Sequence, residues 1–447
     1  MTPDLASVRR LGTARLLASI CALVAGVGAR AAAQDTTHAP GGVSVRLAYD
    51  ARTRPTILVP RVTGPYGDSL TAILRRDLDF GDRVTVGTPS AADALVTSGA
   101  DAVDLAAAAR AGAAGVVRAT VTGTTLHLAL YDVSARRLTA TRDVTLPAPP
   151  LGPEWRLAVH SAADEAERWA TGVRGIAATR VLFIRDGRVW SVDSDGANLR
   201  ALTGPGALSP AWLPSGRGFV HSTLDADGAQ RIVVHTYDGG DGGSEAGAPR
   251  TVAAGGVLNL TPAVSPDGET VAYAHGDEDG TDLYAVPLDG GAPRRMTVGR
   301  GTDNVSPAYA PDGRRVVFTS GRSGHPEVYI ADADGTNAEL LTDFDFSPRN
   351  YRSNPSWSPD GRLVAFQSLV GGRFQLCTIE VRGRTARCLS TAERTEDPSW
   401  APDSRHLVAT ATRGAPRLVV VDVESGRVRT LVAGHASRMP AWSPPLR

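Results

Sequence analysis

Short runs of alternating hydrophobic and polar residues follow one another closely from about residue 180 to the end of the chain. Examples are Val316-Val-Phe-Thr-Ser and Glu327-Val-Tyr-Ile-Ala-Asp. A period of two places one side of each run in a core, which is typical of half-buried β-strands. Turn sequences rich in Gly, Pro and Asp separate the runs, so this region is predicted to be all-β.

One segment recurs six times in this region, and its leading proline lies at positions 210, 262, 307, 355, 398 and 440. A complete copy is Asn354-Pro-Ser-Trp-Ser-Pro-Asp-Gly-Arg. Its Pro-Asp-Gly predicts a tight turn, because Pro presets φ, Asp caps the backbone and Gly accepts a positive φ. Copies 42 to 52 residues apart, with four predicted strands each, are typical of β-propeller blades, so six blades are expected.

The two ends of the repeat array complement each other. The stretch that begins at Arg180 supplies three outer strands without an inner one, and Met439-Pro-Ala-Trp-Ser-Pro supplies an inner strand without outer ones. Joined, they complete one blade and close the ring, which leaves no long sheet edge exposed. The sequence therefore predicts a closure of the propeller by its last strand.

Residues 43–175 have a different pattern. Ser69 to Phe80 carries a helical stripe of apolar residues, Val103 to Ala111 is rich in Ala, and Trp155 to Thr171 is amphipathic. Strands are predicted around Thr56 and in an antiparallel meander over about residues 116–144. The prediction is a mixed fold: an α/β sandwich domain over 43–175, followed by an all-β six-bladed propeller over 176–447.

The first thirty-three residues have the pattern of a signal peptide. Arg9, Arg10 and Arg15 precede an apolar stretch from Leu16 to Ala29, and small residues follow before Gln34. The stretch is short for a membrane-spanning helix. We expect export and cleavage, a flexible tail over residues 34–42, and no transmembrane segment in the mature chain; an uncleaved anchor is the alternative.

Composition removes several functional classes. The chain has 47 basic and 47 acidic side chains, so it offers no electrostatic surface for nucleic acid. Every basic residue is Arg, and a usual P-loop or Schiff-base site requires a Lys. The nine histidines are scattered without metal-binding spacing. No catalytic residue, cofactor or metal is predicted, and the chain is expected not to be an enzyme.

Two cysteines remain in the predicted mature chain. Cys377 and Cys388 lie symmetrically about Arg382-Gly383, which has the length of a hairpin turn. In that register the thiols face each other on neighbouring strands, in a compartment that permits disulfides. The alternative is a pair of buried thiols that act as small apolar residues.

The propeller points to a binding surface at the mouth of its channel. The loops before each inner strand and those between the second and third strands of each blade emerge on one face around that channel. Side chains there are expected to contact a partner, although routine turn hydrogen bonding is the alternative for each of them. The candidates are Asn259, Thr261, Thr302, Asn304, Ser306, Arg352, Asn354, Arg394, Glu396 and Arg438.

Beyond the generic repeat, three junctions resemble TolB, the propeller family of the bacterial Tol-Pal envelope system. Val45-Arg-Leu and Arg54-Pro-Thr-Ile-Leu-Val-Pro resemble the family's opening. Thr171-Gly-Val-Arg-Gly-Ile-Ala-Ala-Thr-Arg-Val resembles its domain junction, and Pro440-Ala-Trp-Ser-Pro resembles its closing strand. The resemblance covers nearly the whole mature chain.

This resemblance implies a periplasmic scaffold that supports envelope integrity and constriction at cell division. Its propeller mouth would bind a Pal-like peptidoglycan-associated lipoprotein of the outer membrane. Its N-terminal segment would bind a TolA-like inner-membrane protein through Val43, Val45, Arg46 and Leu47.

Two other classes of propeller protein remain as alternatives: a periplasmic hydrolase or lyase, and a small-molecule sensor. Similar repeats precede hydrolase domains in some peptidases, but here the repeats run to the last predicted strand. Lyases and sensors of this kind hold histidines in the channel, and no histidine cluster is predicted at this mouth.

Overall fold

The computed structural model describes residues 54–95, 103–224, 228–237, 245–278, 280–299, 302–343, 351–389 and 391–446. The predicted signal peptide, the tail and the candidate segment Val43–Leu47 lie outside the described residues. All described residues belong to one unit in terms of internal contacts, Val45–Arg447. No helix in these ranges is both long and apolar enough to cross a bilayer.

The first part of the chain is a mixed sheet with helices. Its elements in chain order are β1 Thr56–Leu58, α1 Gly67–Phe80, β2 Thr85–Val86, α2 Pro89–Asp93, α3 Leu105–Arg110, β3 Gly115–Thr122, β4 Thr125–Asp132, β5 Arg137–Thr145 and α4 Pro153–Thr171. The strand order is β2-β1-β3-β4-β5. The predicted meander β3-β4-β5 is confirmed, whereas the parallel pairing of β1 with β2 and β3 was not predicted.

Helices α1 and α4 pack on one face of this sheet, as the amphipathic patterns predict. Leu70 and Leu74 of α1 share a buried cluster with Leu128 of β4 and with Trp155 and Val159 of α4. Helix α4 ends at Gly172, whose φ of 81° is the left-handed conformation that glycine favours after a helix. The predicted α/β sandwich is confirmed.

The described residues after α4 form six four-stranded sheets, and we number these blades in chain order. Blade 1 has β9 Ala207–Trp212, β10 Gly218–Leu224, β11 Gln230–Tyr237 and β12 Glu245–Ala253; blade 2 has β13 Leu258–Val264, β14 Thr270–Asp277, β15 Gly280–Pro287 and β16 Arg294–Arg295; blade 3 has β17 Asn304–Tyr309, β18 Arg315–Ser320, β19 Glu327–Asp332 and β20 Glu339–Leu340; blade 4 has β21 Arg352–Trp357, β22 Leu363–Val370, β23 Arg373–Glu380 and β24 Ala386–Cys388; blade 5 has β25 Arg394–Trp400, β26 His406–Thr412, β27 Pro416–Asp422 and β28 Val428–Val432.

Blade 6 joins the two ends of the array. It combines β6 Arg180–Arg185, β7 Arg188–Asp193 and β8 Arg200–Ala201 with the last strand, β29 Ser437–Trp442. Strand β29 is the inner strand and pairs antiparallel with β6, so the predicted closure is confirmed. Apolar side chains of neighbouring blades interlock between them; for example, Phe183 and Trp442 of blade 6 share a cluster with Val408 and Leu418 of blade 5.

Cys377 and Cys388 are direct partners in the register of β23 and β24. The structure joins them in a disulfide across these two outer strands of blade 4. The Cys377 side chain is fully buried, whereas Cys388 lies on the exposed edge strand.

Candidate partner-binding face of the propeller

The propeller has two faces, which the strand order distinguishes. Each inner strand begins where the second strand ends, because the two pair antiparallel. The loops before the inner strands and those between second and third strands therefore emerge together, and we call this side the mouth face. The turns between first and second strands, and between third and fourth strands, form the opposite side, the junction face.

Every inner strand contains the same bulge. In blade 3, Val305 pairs with Thr319 and Ala308 pairs with Val317, so Ser306 and Pro307 together oppose one residue. Proline fits there because a bulge needs no backbone donor for the ladder. The residue before each proline is left-handed in all six blades, with φ between 47° and 54°: Ser209, Thr261, Ser306, Asn354, Asp397 and Met439.

These six residues and their prolines surround the central channel, whose cavity has a volume of about 250 Å³. Hydrogen bonds link neighbouring members of the ring. The Ser306 amide donates to Thr261 Oγ1 (3.1 Å), the Ser306 hydroxyl donates to Asn354 Oδ1 (3.0 Å), and Asn354 Nδ2 donates to Asp397 Oδ1 (2.9 Å). The channel is therefore lined by prolines and polar side chains, and hydrogen bonds link blades 2 to 5 around it.

Asp397 is the one charged member of this ring. Burial raises its pKa, and the hydrogen bonds from Thr410 Oγ1 (2.9 Å) and Asn354 Nδ2 oppose that rise. Its carboxylate also accepts from the Met439 amide (3.4 Å) of the closing strand. Asp397 thus ties blades 4, 5 and 6 together at the channel.

Eight of the ten predicted mouth residues are at least partly exposed. Thr261, Ser306 and Asn354 line the channel. Arg352, at the start of β21, pairs with the buried carboxylate of Glu327 (3.0 Å), and Arg394 pairs with Glu396 (2.5 Å) at the start of β25. The other two exposed candidates are Thr302, before β17, and Arg438, in β29.

The prediction of partner contact is wrong for two candidates. Asn259 and Asn304 are both fully buried. Asn259 Nδ2 donates to the carbonyls of Gln230 (2.8 Å) and Gly255 (2.6 Å). Asn304 Nδ2 donates to the carboxylate of Asp282 (2.8 Å). Internal hydrogen bonds already use both of these buried amides, so neither side chain is available for direct contact with a partner.

The pattern of polar residues missed an apolar component of the mouth face. Five large hydrophobic residues at strand ends or in loops of this face are between 39% and 78% exposed: Leu224, Val257, Val298, Tyr351 and Val370. Exposed hydrophobic side chains that share one face of a protein are candidates for a binding surface. Hydrophobic residues inside predicted loops were the signal that could have identified them.

An aromatic cluster with an arginine lies on the same face, between blades 4 and 5. The rings of Tyr351 and Phe374 meet edge to face with centroids 5.3 Å apart. The Arg394 guanidinium lies 5.0 Å from the centroid of Phe374. Tyr and Arg are enriched among the residues that dominate binding energy at protein interfaces.

Comparison with known proteins bears on this geometry. A family model described as "TolB beta propeller domain" matches residues 168–446, which is more than half of the chain. The chain belongs to the TolB β-propeller family. The resemblance inferred from the sequence is therefore confirmed.

Curated members with similar sequences carry the description "Tol-Pal system protein TolB". One from Anaeromyxobacter dehalogenans strain 2CP-1 is 31% identical over 284 residues, which is 57% of this chain and 62% of that protein. Another, from strain 2CP-C, is 33% identical over 237 residues, or 50% of this chain and 52% of that protein. The matched region thus spans less than two thirds of either relative.

Among solved structures, TolB from Acinetobacter baumannii superposes with a TM-score of 0.76 at 22% identity. The superposition covers 89% of this chain and 98% of the other. At this identity the match establishes the fold: an α/β domain followed by a six-bladed propeller, as in this family member.

The α/β domain meets the junction face of the propeller, where a charged network crosses between them. The fully buried Asp82 carboxylate, which follows α1, accepts hydrogen bonds from Arg427 (3.0 Å) and Arg429 of blade 5 and lies 3.3 Å from His406 Nε2. Burial alone would raise the pKa of Asp82, but the hydrogen bonds from His406 and Arg429 outweigh it, so the pKa is lowered.

His406 is charged within this network. Burial opposes its protonation, yet Asp403, 2.8 Å from Nδ1, and Asp82 raise the pKa of His406 to about 9. Arg83 of the α/β domain reaches the same Asp403 (3.2 Å). The Phe80 ring stacks against His406, with centroids 6.3 Å apart. No single sequence motif predicts this network, because its members in the α/β domain and its members in blade 5 are more than three hundred residues apart.

Two groups of carboxylates and histidines at this junction have a spacing that suits a metal: Asp82, His406 and Asp422, and His160, Asp193 and Asp195. Arginines neutralise the carboxylates of both groups. Arg405 pairs with Asp422 (2.7 Å), Arg180 pairs with Asp193 (2.9 Å) and Arg156 pairs with Asp195. A cation would have to displace these guanidiniums, so the groups are built as ion-pair networks.

Proposed function

We propose that this chain is the propeller scaffold of a Tol-Pal-like system in the periplasm. Its mouth face binds a Pal-like peptidoglycan-associated lipoprotein of the outer membrane. Its N-terminal segment binds a TolA-like inner-membrane protein, and the assembly supports envelope integrity and constriction at division. The proposal includes export through the N-terminal signal peptide and no enzymatic activity.

The exposed apolar residues on the mouth face are the observation that carries the proposal. These five residues lie on the mouth face in blades 1 to 4, and the α/β domain contacts the opposite face. An apolar rim with arginines and one aromatic cluster has the composition of a protein interface. Membership of the TolB family supports the choice of a Pal-like partner.

The junction network supports a role without catalysis. Its strongly perturbed groups, such as Asp82 and His406, already use their hydrogen-bonding atoms on arginines and on each other. They are packed between the two domains, where they hold the domains together. A titratable pair that faces a substrate-sized cleft would be expected of a hydrolase or lyase.

The experiment is a capture from detergent-solubilised envelopes, with the mature chain from Gln34 as bait and mass spectrometry as the readout. A mouth variant carries Val257→Arg and Val298→Arg, two sites that are 73% and 78% exposed and so tolerate a charge without unfolding. A matched control carries Leu138→Arg, at a site 47% exposed in β5 of the α/β domain.

We expect the wild-type chain and the Leu138→Arg control to capture a Pal-like lipoprotein, and the mouth variant to lose it. A chain that lacks residues 34–48 should keep the lipoprotein and lose the TolA-like protein. Equal capture by the mouth variant and the wild type would contradict the proposed face. Capture of no lipoprotein by the wild type would contradict the proposed function.

A further inference from the structure

One buried arginine of the propeller differs from the others in its surroundings. Four arginines in the described residues are buried: Arg83, Arg180, Arg185 and Arg405. Arg83, Arg180 and Arg405 each pair with a carboxylate at 2.7–3.2 Å. Arg185 is 4% exposed and has no ion pair with any described residue. A buried charge without a counterion is costly, so its retention calls for an explanation.

The protein holds the Arg185 guanidinium by weaker contacts. Its Nε and Nη2 both donate to one oxygen, the hydroxyl of Ser437, at 3.2 and 3.1 Å. Its carbon lies 5.2 Å from the ring centroids of Phe183 and Trp190. Burial lowers the pKa of Arg185, which the neighbouring charge of Asp186 opposes. The side chain is thus fixed in place with hydrogen-bonding capacity left over.

The position of Arg185 places it on the mouth face. It is the last residue of β6 and pairs with Ser437, the first residue of the closing strand β29. In the other five blades, the residue in this register carries no permanent charge: Thr223, His275, Ser320, Ser368 and Ala411. The charge is therefore a feature of the closing blade and not of the repeat.

We propose that Arg185 is the receptor for a carboxylate of the protein that docks on the mouth face. The inference rests on the proposed function and names the chemistry of the partner group: an Asp or Glu side chain or a C-terminal carboxylate. A planar guanidinium that lies against two neighbouring rings is pre-organised for a two-pronged pair with a carboxylate. The bound carboxylate supplies the direct ion pair that no described residue makes with Arg185.

The proposal predicts opposite changes in binding and in stability. Arg185→Met removes an uncompensated buried charge and keeps apolar contact with the rings, so Tm stays the same or rises. The same variant binds the soluble domain of the bacterium's Pal-like lipoprotein at least about tenfold more weakly in isothermal titration calorimetry. Arg185→Gln keeps a donor for Ser437 and shows the same loss of affinity.

Arg180→Met is the matched control, because Arg180 lies at the other end of β6 and is paired with Asp193. Its loss leaves a buried carboxylate uncompensated, so Tm falls. A fall in Tm of the same size for Arg185→Met would show a structural role and overturn the proposal. Unchanged affinity in both Arg185 variants would also overturn it, while the proposed function stands. Absence of binding by the wild type contradicts the proposed function itself.

A second measurement identifies the carboxylate. Each exposed Asp and Glu of the lipoprotein domain is changed to Asn or Gln, its C-terminus is amidated, and each change is combined with Arg185→Met. For one carboxylate, the loss of binding free energy in the double variant should differ clearly from the sum of the two single losses. For the others, the two losses should add. Independent addition at every position would overturn the proposed ligand.

Discussion

Two histidines of blade 1 share a buried hydrogen bond in which His221 is the acceptor and is therefore neutral. His221 Nδ1 faces the carbonyl oxygen of Ser222 (2.9 Å) and so carries the proton, which leaves Nε2 as an acceptor. Nε2 of His235 lies 3.0 Å away and is the donor. Burial lowers the pKa of His221 to about 4, so His221 resists protonation until the pH is well below neutral.

The buried His221 should make the propeller less stable in mild acid. The pKa of His221 is lower in the folded chain than its unfolded value of about 6.5, so its contribution is present above pH 6.5 and is lost as the pH falls towards 4. Between pH 7.5 and 5 the loss is about 2 kcal/mol of unfolding free energy. Urea unfolding followed by tryptophan fluorescence at the two pH values measures it.

His221→Phe tests the assignment, because it removes the titrating group and keeps the stacking against Phe219. Its unfolding free energy should fall less between the two pH values than that of the wild type. His127→Gln is the control, since His127 is an exposed histidine on β4, and its profile should follow the wild type. Equal pH dependence in His221→Phe and the wild type would show that the acid sensitivity arises elsewhere.

Asp82 is the single residue on which the domain junction depends most. Its buried carboxylate is the common acceptor of Arg54, Arg427 and Arg429 and also contacts His406. Asp82→Asn removes the one buried carboxylate that these cations share, so the unfolding free energy should drop by about 3 kcal/mol in urea titration. Asp79→Asn changes an exposed partner of the same arginines and should cost less than about 1 kcal/mol. Similar losses for the two variants would argue against a central role for Asp82.

At the level of the single element, the outer hairpin of blade 4 depends on its disulfide. Cys388→Ser opens a link between residues 11 positions apart and leaves the Cys377 thiol buried among apolar side chains. The entropy that the link removes from the unfolded chain is worth about 2–3 kcal/mol, which is the expected loss of unfolding free energy. Wild type in dithiothreitol should match the variant in its urea midpoint. A midpoint that neither change alters would show that β24 holds without the link.

The strands of the propeller could be predicted from the sequence because every blade repeats the same local information. Pro-Asp-Gly turns and alternating strands fix each hairpin within a few residues, and the unmatched ends near Arg180 and Met439 predict the closure. The left-handed residue in each bulge was not predicted, because Ser306 or Met439 has no intrinsic preference for a positive φ. The bulge itself imposes that conformation.

The candidate site was predictable only in part, for a different reason. Blade topology places loops on the mouth face. Position in the repeat therefore predicts that Thr261, Ser306 and Asn354 lie at the channel, where the structure has them. Burial depends on packing between blades, which a repeat pattern does not contain, so Asn259 and Asn304 were placed on the surface. The sequence pattern did not identify Arg185 as a candidate, because its burial and its lack of an ion pair with a described residue are visible only in the structure.

At the scale of the whole molecule, the closing strand joins three parts of the structure. Strand β29 completes blade 6 by pairing with β6, and its Ser437 hydroxyl accepts from Arg185. Its last residue, Trp442, donates from Nε1 to Thr179 Oγ1 (2.8 Å) and lies beside Phe80 of the α/β domain. The C-terminal segment thus couples ring closure, the mouth face and the domain junction.

Removal of this strand should destabilise more than one blade. A chain that ends at residue 436 exposes the paired edge of β6 and loses Trp442 from the cluster between blades 5 and 6, so we expect aggregation or loss of a cooperative thermal transition. A chain that ends at Ser443 keeps β29 and loses the packing of Leu446 on Leu157 and Ala178 and its backbone hydrogen bond to Ala178, so its transition should stay cooperative with a slightly lower Tm. Differential scanning calorimetry of the two truncations provides the comparison. A cooperative transition near the wild-type Tm in the shorter chain would mean that the propeller closes without the inner strand of blade 6, which the shared core of blades 5 and 6 argues against.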